Sequence, residues 1–352
     1  MVGTRAPARL NRPVPSPCVS VLLPVFNARS TLPQAVASIR AQTFTDWELL
    51  VVDDGSTDGT TDWLRAETAR EPRLKVLWQP HAGIVAALNR GLAAARGEFI
   101  ARMDADDESL PARLVEQVAF LTAPAHADIG LVGSLVEFGG DRAAKAGYAL
   151  HVDWLNTVVT PEQIALSRFV ESPFAHPCVM FRRKLVAQHG GYRAGHFPED
   201  YELWLRWLEA GVRMAKVPST LLRWEDPPAR LSRTDPRYGV ESFYGLKAEY
   251  LARWLAAKVP EARKLLVWGA GRATRKRVKM LEARGRAVTA YVDIDPHKQG
   301  RSRAGHLVLA PDQTPAGAFH LGYVGKRGAR EFCRNFLEQR GYVEGRDFLF
   351  AA

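Results

Sequence analysis

Between Val19 and Leu121, apolar β-branched runs alternate four times with stretches of helical spacing, and two of the runs stop abruptly in carboxylates. The runs are Val19–Val25, Trp47–Val52, Leu74–Trp78 and Glu98–Met103; helical spacing follows over 31–42, 57–70, 83–95 and 111–121. Short apolar runs bounded by turn residues read as strands buried on both faces. Strand and helix in strict alternation imply an α/β chain, a mostly parallel sheet with helices on both faces. In such sheets ligands sit at the carboxyl ends of the strands. Trp47–Val52 runs into Asp53-Asp54-Gly55-Ser56, and Glu98–Met103 into Asp104, Asp106 and Asp107. Asp-X-Asp alone is a weak signal, because solvated turns are often acidic. Two acid clusters at one edge of a sheet carry more weight. Such carboxylates are hard oxygen ligands for Mg²⁺ or Mn²⁺, which in turn hold phosphates.

The chain continues with a strand over 129–138 and an irregular surface stretch over 141–160. Phe174-Ala175-His176-Pro177 leads into a short strand at 178–181, and Gly190-Gly191-Tyr192 forms a turn. Phe197-Pro198-Glu199-Asp200 precedes YELWLRWLEA, an amphipathic helix over 201–210, so Asp200 stands at a helix start, where an acid also serves as cap or dipole partner. Trp204 and Trp207 read as core. A strand at 214–217 is followed by LLRWEDPPARLS, a polar loop, and 240–257 is helical.

A second unit begins with the strand 264–268, which ends in Gly269-Ala270-Gly271. The helix 272–284 and the strand 287–292 follow, and Asp293 lies 24 residues after Gly269. That is the layout of a dinucleotide-binding βαβ unit, with Thr274 in place of its third glycine. Segments 320–324, 329–339 and 347–350 complete a small Rossmann-like α/β domain. The expected organisation is a flexible leader over 1–17, a main domain over 18–239, a helical linker over 240–260 and a second domain over 261–352.

Composition sets further bounds. Three scattered cysteines, Cys18, Cys178 and Cys333, argue against a disulfide framework or a zinc site and fit a reducing compartment. The N-terminal segment lacks the apolar core of a secretory signal, and no apolar run has the length of a membrane span. The expected location is cytoplasmic, with peripheral contact at the inner face of the membrane as a further expectation. The net charge of +10 falls entirely in residues 256–352, which hold 19 Lys+Arg and 9 Asp+Glu. That basic surface suits an anionic lipid, a nucleic acid, a phosphorylated ligand or plain solubility; of these a nucleic-acid partner is not expected.

Over its first 235 or so residues the chain resembles the family 2 glycosyltransferases of GT-A fold. The resemblance rests on VSVLLPVFN, ELLVVDDGSTDGT, ALNRGLAAARGEFIARMDADD, HPCVMFRR, GGYRAGHFPEDYELWLRW and LLRWEDPPARLS, in that order. It implies transfer of a sugar from a UDP-, dTDP- or GDP-linked donor to a hydroxyl acceptor, with inversion. Carried over, Pro24 and Val25 line the base pocket through their backbone, Asn27 lies beside them, and Asp53 or Asp54 contacts the base. Asp104 and Asp106 form the motif for Mn²⁺ or Mg²⁺, and Asp200 is the general base. His176, Glu199, Arg223 and Trp224 fall where acceptor or phosphate contacts are built. Many members carry Ala-Arg-Asn ahead of the acidic motif; here Ala87-Leu88-Asn89 stands there, so a cationic donor contact comes from elsewhere, Arg102 or Arg90. The tail resembles the Rossmann units of sugar-modifying enzymes on WGAGRAT and YVDIDP, which implies a nucleotide held by Gly269, Gly271 and Asp293.

The chemistry asks for these residue types. A departing nucleoside diphosphate gains charge, which a carboxylate-held divalent cation stabilises. The acceptor hydroxyl is a weak nucleophile, and a carboxylate in reach takes its proton. The expected acceptor is a lipid-linked saccharide, a surface polysaccharide or a small glycoside. Two other classes compete. An NAD-dependent sugar oxidoreductase or epimerase would work through the tail, but no tyrosine has a lysine four residues on, as the short-chain enzymes require. A non-catalytic nucleotide-sugar-binding module would leave the metal and base motifs without a purpose.

Overall fold

The structure, a computed structural model, describes residues 16–227, 230–326 and 328–352. Nearly all of the expected leader lies outside the described residues.

The first unit alternates as the sequence implies: β1 (Val19–Val25), α1 (Leu32–Arg40), β2 (Trp47–Asp53), α2 (Thr60–Thr68), β3 (Leu74–Trp78), α3 (Ile84–Ala94) and β4 (Phe99–Arg102). It continues through β5 (Glu108–Ser109), α4 (Arg113–Thr122), β6 (Ile129–Phe138), α5 (Ala146–Thr157), α6 (Pro161–Ser167), β7 (Met180–Arg182), α7 (Lys184–His189), α8 (Glu199–Glu209) and β8 (Arg213–Trp224). These strands make one eight-stranded sheet in the order β3-β2-β1-β4-β7-β6-β8-β5. β1, β2, β3 and β4 are parallel, so their carboxyl ends share one edge. β7 enters antiparallel between β4 and β6. Every residue of β1 and β2 is buried, which explains why their sequences run apolar without alternation.

The structure departs from the sequence reading in several places, two of which bear on the site. The segment 141–160 is not irregular: α5 occupies most of it, with Ala149, Val152 and Leu155 buried at helical spacing. α6 follows under a capping box, in which Thr160 Oγ1 accepts from the Gln163 N–H and Gln163 Oε1 accepts from the Thr160 N–H. The strand expected at 214–217 extends to Trp224, because β8 pairs with β6 through Phe138↔Trp224. The first four residues of the expected polar loop are therefore strand.

After α9 (Leu231–Thr234) and the long α10 (Val240–Lys258) comes a second sheet. It is built from β9 (Leu265–Trp268), β10 (Ala290–Val292), β11 (Ser302–Arg303), β12 (His306–Leu309), β13 (Phe319–Gly322) and β14 (Phe348–Phe350), with α11 (Arg272–Glu282) and α12 (Ala329–Glu338) on its faces. The order is β11-β12-β10-β9-β13-β14, parallel except for β11. The two units share a core. Tyr201 and Leu205 of α8 and Phe169 pack with Leu246 and Leu251 of α10 and with Leu265, Val267 and Leu321 of the small sheet. Trp204 and Trp207, on the other side of α8, are fully buried in the core of the large sheet. Among the described residues no helix is long and apolar enough to cross a membrane.

Candidate active site

The carboxyl edge of β1, β2 and β4 collects the residues that the sequence singled out. Pro24 and Val25 end β1, and Val25 pairs with Asp53. Asn27 adopts a left-handed conformation at φ 50°; its Oδ1 accepts from the Thr57 N–H at 2.8 Å and its own N–H donates to Ser56 Oγ at 2.9 Å. Asp53 and Asp54 are both buried. Asp53 accepts from the Ser56 N–H at 3.1 Å and from the Thr61 hydroxyl at 2.6 Å. Asp54 accepts from Gln79 Nε2 at 2.6 Å and from the N–H groups of Ala82 and Gly83 at 2.9 and 2.8 Å. Both carboxylates thus fix the loops that shape this end of the sheet. Gly55, at φ 79°, lets these loops meet: a Cβ there would lie 2.8 Å from the His81 nitrogen. Beside them Phe26, 47% exposed, stacks on His81 with ring centroids 4.1 Å apart. The sequence reading passed over that flat aromatic platform, whose His81 Nδ1 lies 2.9 Å from Asp54; its one signal was an aromatic residue in a polar loop directly after a strand.

Asp104, Asp106 and Asp107 follow β4, and one carboxylate oxygen from each lies within 4.8 Å of the others. The fully buried Arg113 of α4 holds this loop in place. Its Nη2 donates to the Arg102 carbonyl at 2.6 Å and its Nε to Gln117, which in turn donates to the Cys178 carbonyl at 2.7 Å. Asp107 Oδ1 accepts from the Glu225 N–H at 2.8 Å, while its Oδ2 is buried with no hydrogen-bond donor among the described residues. Arg102, 1% exposed, meets Asp104 at 2.5 Å. Burial, and then the charge of Asp104, pushes the Asp106 carboxyl up to about 6. Burial together with Asp104 and Asp106 drives Asp107 well above the usual carboxylate range. Three crowded acids, one with an orphaned buried oxygen, form a donor set that fits a divalent cation.

A cleft of about 310 Å³ opens over this trio, and Asp200, Glu199, His176 and Trp224 also line it. Glu199 and Asp200 are the first two residues of α8. Asp200 Oδ1 accepts from the Tyr201 N–H at 2.7 Å. Burial, and next the neighbouring Glu199, pushes the Asp200 carboxyl up to about 7. Glu199 is 1% exposed and accepts from the Tyr238 hydroxyl at 2.6 Å. His176 is buried against the Tyr192 hydroxyl at 2.8 Å, and burial keeps its imidazole neutral, well below the usual range. Tyr192 is fixed in turn by Asn89, which accepts from the Tyr192 N–H at 3.0 Å and donates to its carbonyl at 2.9 Å.

Arg223 is not part of this cleft. Neighbouring side chains of a strand point to opposite faces, so at the end of β8 the buried Trp224 lines the cleft while Arg223 is exposed and pairs with Glu225 at 2.7 Å. Besides Arg102, the cleft lining holds a second cation, Arg230, which the sequence reading missed. Its guanidinium lies 4.2 Å from the Trp224 ring centre and bonds the Tyr148 hydroxyl. Tyr148 lies on α5, in the stretch read as irregular, which hid the pairing.

In the small sheet, Gly269 (φ 95°) and Gly271 make the tight turn from β9 into α11, beside a cavity of about 610 Å³. Asp293 does not stand free there. Its Oδ2 accepts from the Ala270 N–H at 2.9 Å and from Lys298 Nζ at 3.1 Å, and its Oδ1 from the Asp295 N–H at 3.0 Å. Thr274 donates to the Tyr323 carbonyl at 3.1 Å, at the position where the fingerprint has its third glycine.

The family model described as Glycosyl transferase family 2 matches residues 20–190. The chain is 33% identical over 233 residues to EpsE of Bacillus subtilis (strain 168), named as a glycosyltransferase; the alignment covers 64% of this chain and 79% of that protein. It is 29% identical over 212 residues to the O-antigen biosynthesis glycosyltransferase WbnJ of Escherichia coli, covering 58% of this chain and 78% of that one. Among solved structures, S. aureus TarS matches with a TM-score of 0.51 at 19% identity, over 76% of this chain and 43% of that chain, a likeness of fold.

Proposed function

The chain belongs to the family 2 glycosyltransferases, and from that premise we propose that it moves a sugar from a nucleoside-diphosphate donor to a hydroxyl acceptor in one inverting displacement. The observation that carries this reading is the single cleft lined by Asp104, Asp106 and Asp200. The base of a UDP-, dTDP- or GDP-sugar rests at the ends of β1 and β2, against the Phe26–His81 stack and the Pro24, Val25 and Asn27 backbone, in loops held by Asp53 and Asp54. Asp104 and Asp106 would hold Mn²⁺ or Mg²⁺, which when bound stabilises the charge of the departing diphosphate. Arg102 and Arg230 add fixed positive charge beside it.

Asp200, ionised, accepts the proton of the acceptor hydroxyl as that oxygen bonds to the anomeric carbon and the bond to the diphosphate breaks. A carboxyl raised to about 7 is matched to such a task at neutral pH. Glu199, His176 and Trp224 line the acceptor side. The name of the WbnJ relative supports an acceptor that belongs to a growing cell-surface glycan. We assign transfer to residues 18–239, the link to 240–260 and a second unit to 261–352. The competing oxidoreductase reading loses support from Asp293, whose carboxylate is taken up by its own turn and by Lys298.

The test is thermal-shift binding of UDP, GDP, dTDP and NAD⁺ with and without Mn²⁺. The expected result is a metal-dependent shift with one nucleoside diphosphate, removed by Asp104→Ala. A shift with NAD⁺ alone, unchanged by Asp104→Ala, moves the chemistry to the small sheet and overturns the assignment.

A further inference from the structure

The positive charge of the chain is not spread evenly: residues 1–255 hold 29 Lys+Arg and 29 Asp+Glu, whereas residues 256–352 hold 19 and 9. α11 concentrates the excess, with Arg272, Arg275, Lys276, Arg277 and Lys279 in one eleven-residue helix. Its buried face is Thr274, Val278 and Leu281; Arg272, Lys276 and Lys279, at spacings of four and three, form its exposed stripe. α11 packs along α10, whose first turn adjoins the cleft. Lys276 Nζ meets Glu241 Oε1 at 2.7 Å, and the Arg277 guanidinium lies 3.8 Å from the Tyr244 ring centre. Glu241 follows Val240, which is 66% exposed, and Phe243 lines the cleft itself. Leu231, 38% exposed, stands in the cleft lining beside exposed Arg233. The cleft rim with Leu231 and the first turn of α10 with Val240 is thus tied to α11 through the Lys276–Glu241 pair, while Arg233 pairs with the buried Asp226.

We propose that this rim docks the protein on an anionic lipid bilayer. The docked pose sets the cleft mouth at the membrane surface, so its use rests on the transferase reading and implies an acceptor carried by a lipid. The chemistry distinguishes a bilayer from a nucleic acid. Aliphatic side chains beside lysines enter the headgroup boundary, while a single strand asks for aromatic platforms on which bases stack.

The experiment is flotation of the full chain with phosphatidylcholine vesicles, with and without phosphatidylglycerol, at low and high salt and without donor. The expected result is binding to the anionic vesicles only, weakened by salt. Arg272→Ala/Lys276→Ala/Lys279→Ala lowers the partition about a hundredfold, at roughly fivefold per cation. Val240→Asp also weakens it, and Arg65→Ala/Arg70→Ala/Lys184→Ala, on the large-sheet unit, does not. Equal binding to neutral vesicles, an unchanged triple α11 variant of native melting temperature, or binding to an oligonucleotide without binding to vesicles overturns the proposal. Because no donor is present, failure here leaves the transferase assignment standing. Conversely, an active Asp200→Asn variant leaves vesicle binding untouched.

Discussion

The Tyr238 hydroxyl donates to Glu199 Oε2 at 2.6 Å, reaching back across 39 residues of chain. Tyr238 thereby closes over the turn that carries Asp200. After burial, Glu199 is the largest influence raising Asp200 to about 7. Asp200 accepts a proton only when ionised, so transfer rises with pH through about 7 and levels off above it. Glu199→Gln removes the neighbouring negative charge, which lowers the Asp200 midpoint and moves the acidic limb of the kcat/KM profile to lower pH. Tyr238→Phe leaves Oε2 buried without its donor and favours protonated Glu199, which moves the limb the same way at about 1–3 kcal/mol of stability. Profiles with unmoved acidic limbs in both variants contradict this coupling.

Adding Mn²⁺ raises the melting temperature of the protein, because three mutually repelling carboxylates gain a counter-charge. At a hundredfold excess over Kd the gain is about 2.7 kcal/mol. Asp104→Asn and Asp106→Asn lose the shift and at least about a hundredfold in transfer. A Mn²⁺ shift of full size in Asp106→Asn removes that residue from the donor set.

Lys247 is fully buried in α10, donating to the Val170 and Ala351 carbonyls at 2.9 and 3.3 Å. Burial pulls its ammonium down from 10.5 to about 7. Between those values the unfolded chain binds a proton that the folded chain has released, so this residue makes stability rise with pH across the window, by at most about 1.4 kcal/mol per pH unit. Lys247→Met flattens that slope. Urea denaturation midpoints measured between about pH 7 and 9 decide the matter, and identical slopes in the two proteins contradict it.

A chain cut after Lys258 keeps Phe169 and α10 beside Tyr201 and Leu205 but loses Leu265, Val267 and Leu321 of the small sheet from the same core. The core shared by α8 and α10 then opens on the side that the small sheet had covered. The truncated chain is expected to aggregate or to melt well below the intact one and to lose transfer. A soluble, fully active truncation shows that the two units stand independently.

The strands and their acidic ends were legible because β1 and β2 are buried on both faces, which writes an uninterrupted apolar run ending at the rim. The place of Asp200 in the first turn of a helix was legible from the amphipathic pattern that follows it. Arg230 and Tyr238 were not, since their partners Trp224, Tyr148 and Glu199 come together only once β8 extends along β6 and α5 forms. Arg223 was misread for the same reason: taken as loop, it had no face, whereas in a strand it must point opposite to Trp224. The roles of Asp53 and Asp54 depend on loops from 56 to 83 whose approach no local pattern records. Asp293 shows the limit of a spacing argument, for the acid stands at the fingerprint position yet binds its own turn.

The most direct test of the account is Asp200→Asn, with transfer and donor binding measured side by side. The account predicts that transfer falls by about 10²–10⁴-fold while the metal-dependent shift with the nucleoside diphosphate is kept. Transfer at the wild-type rate would contradict Asp200 as the base and with it the proposed chemistry of the cleft.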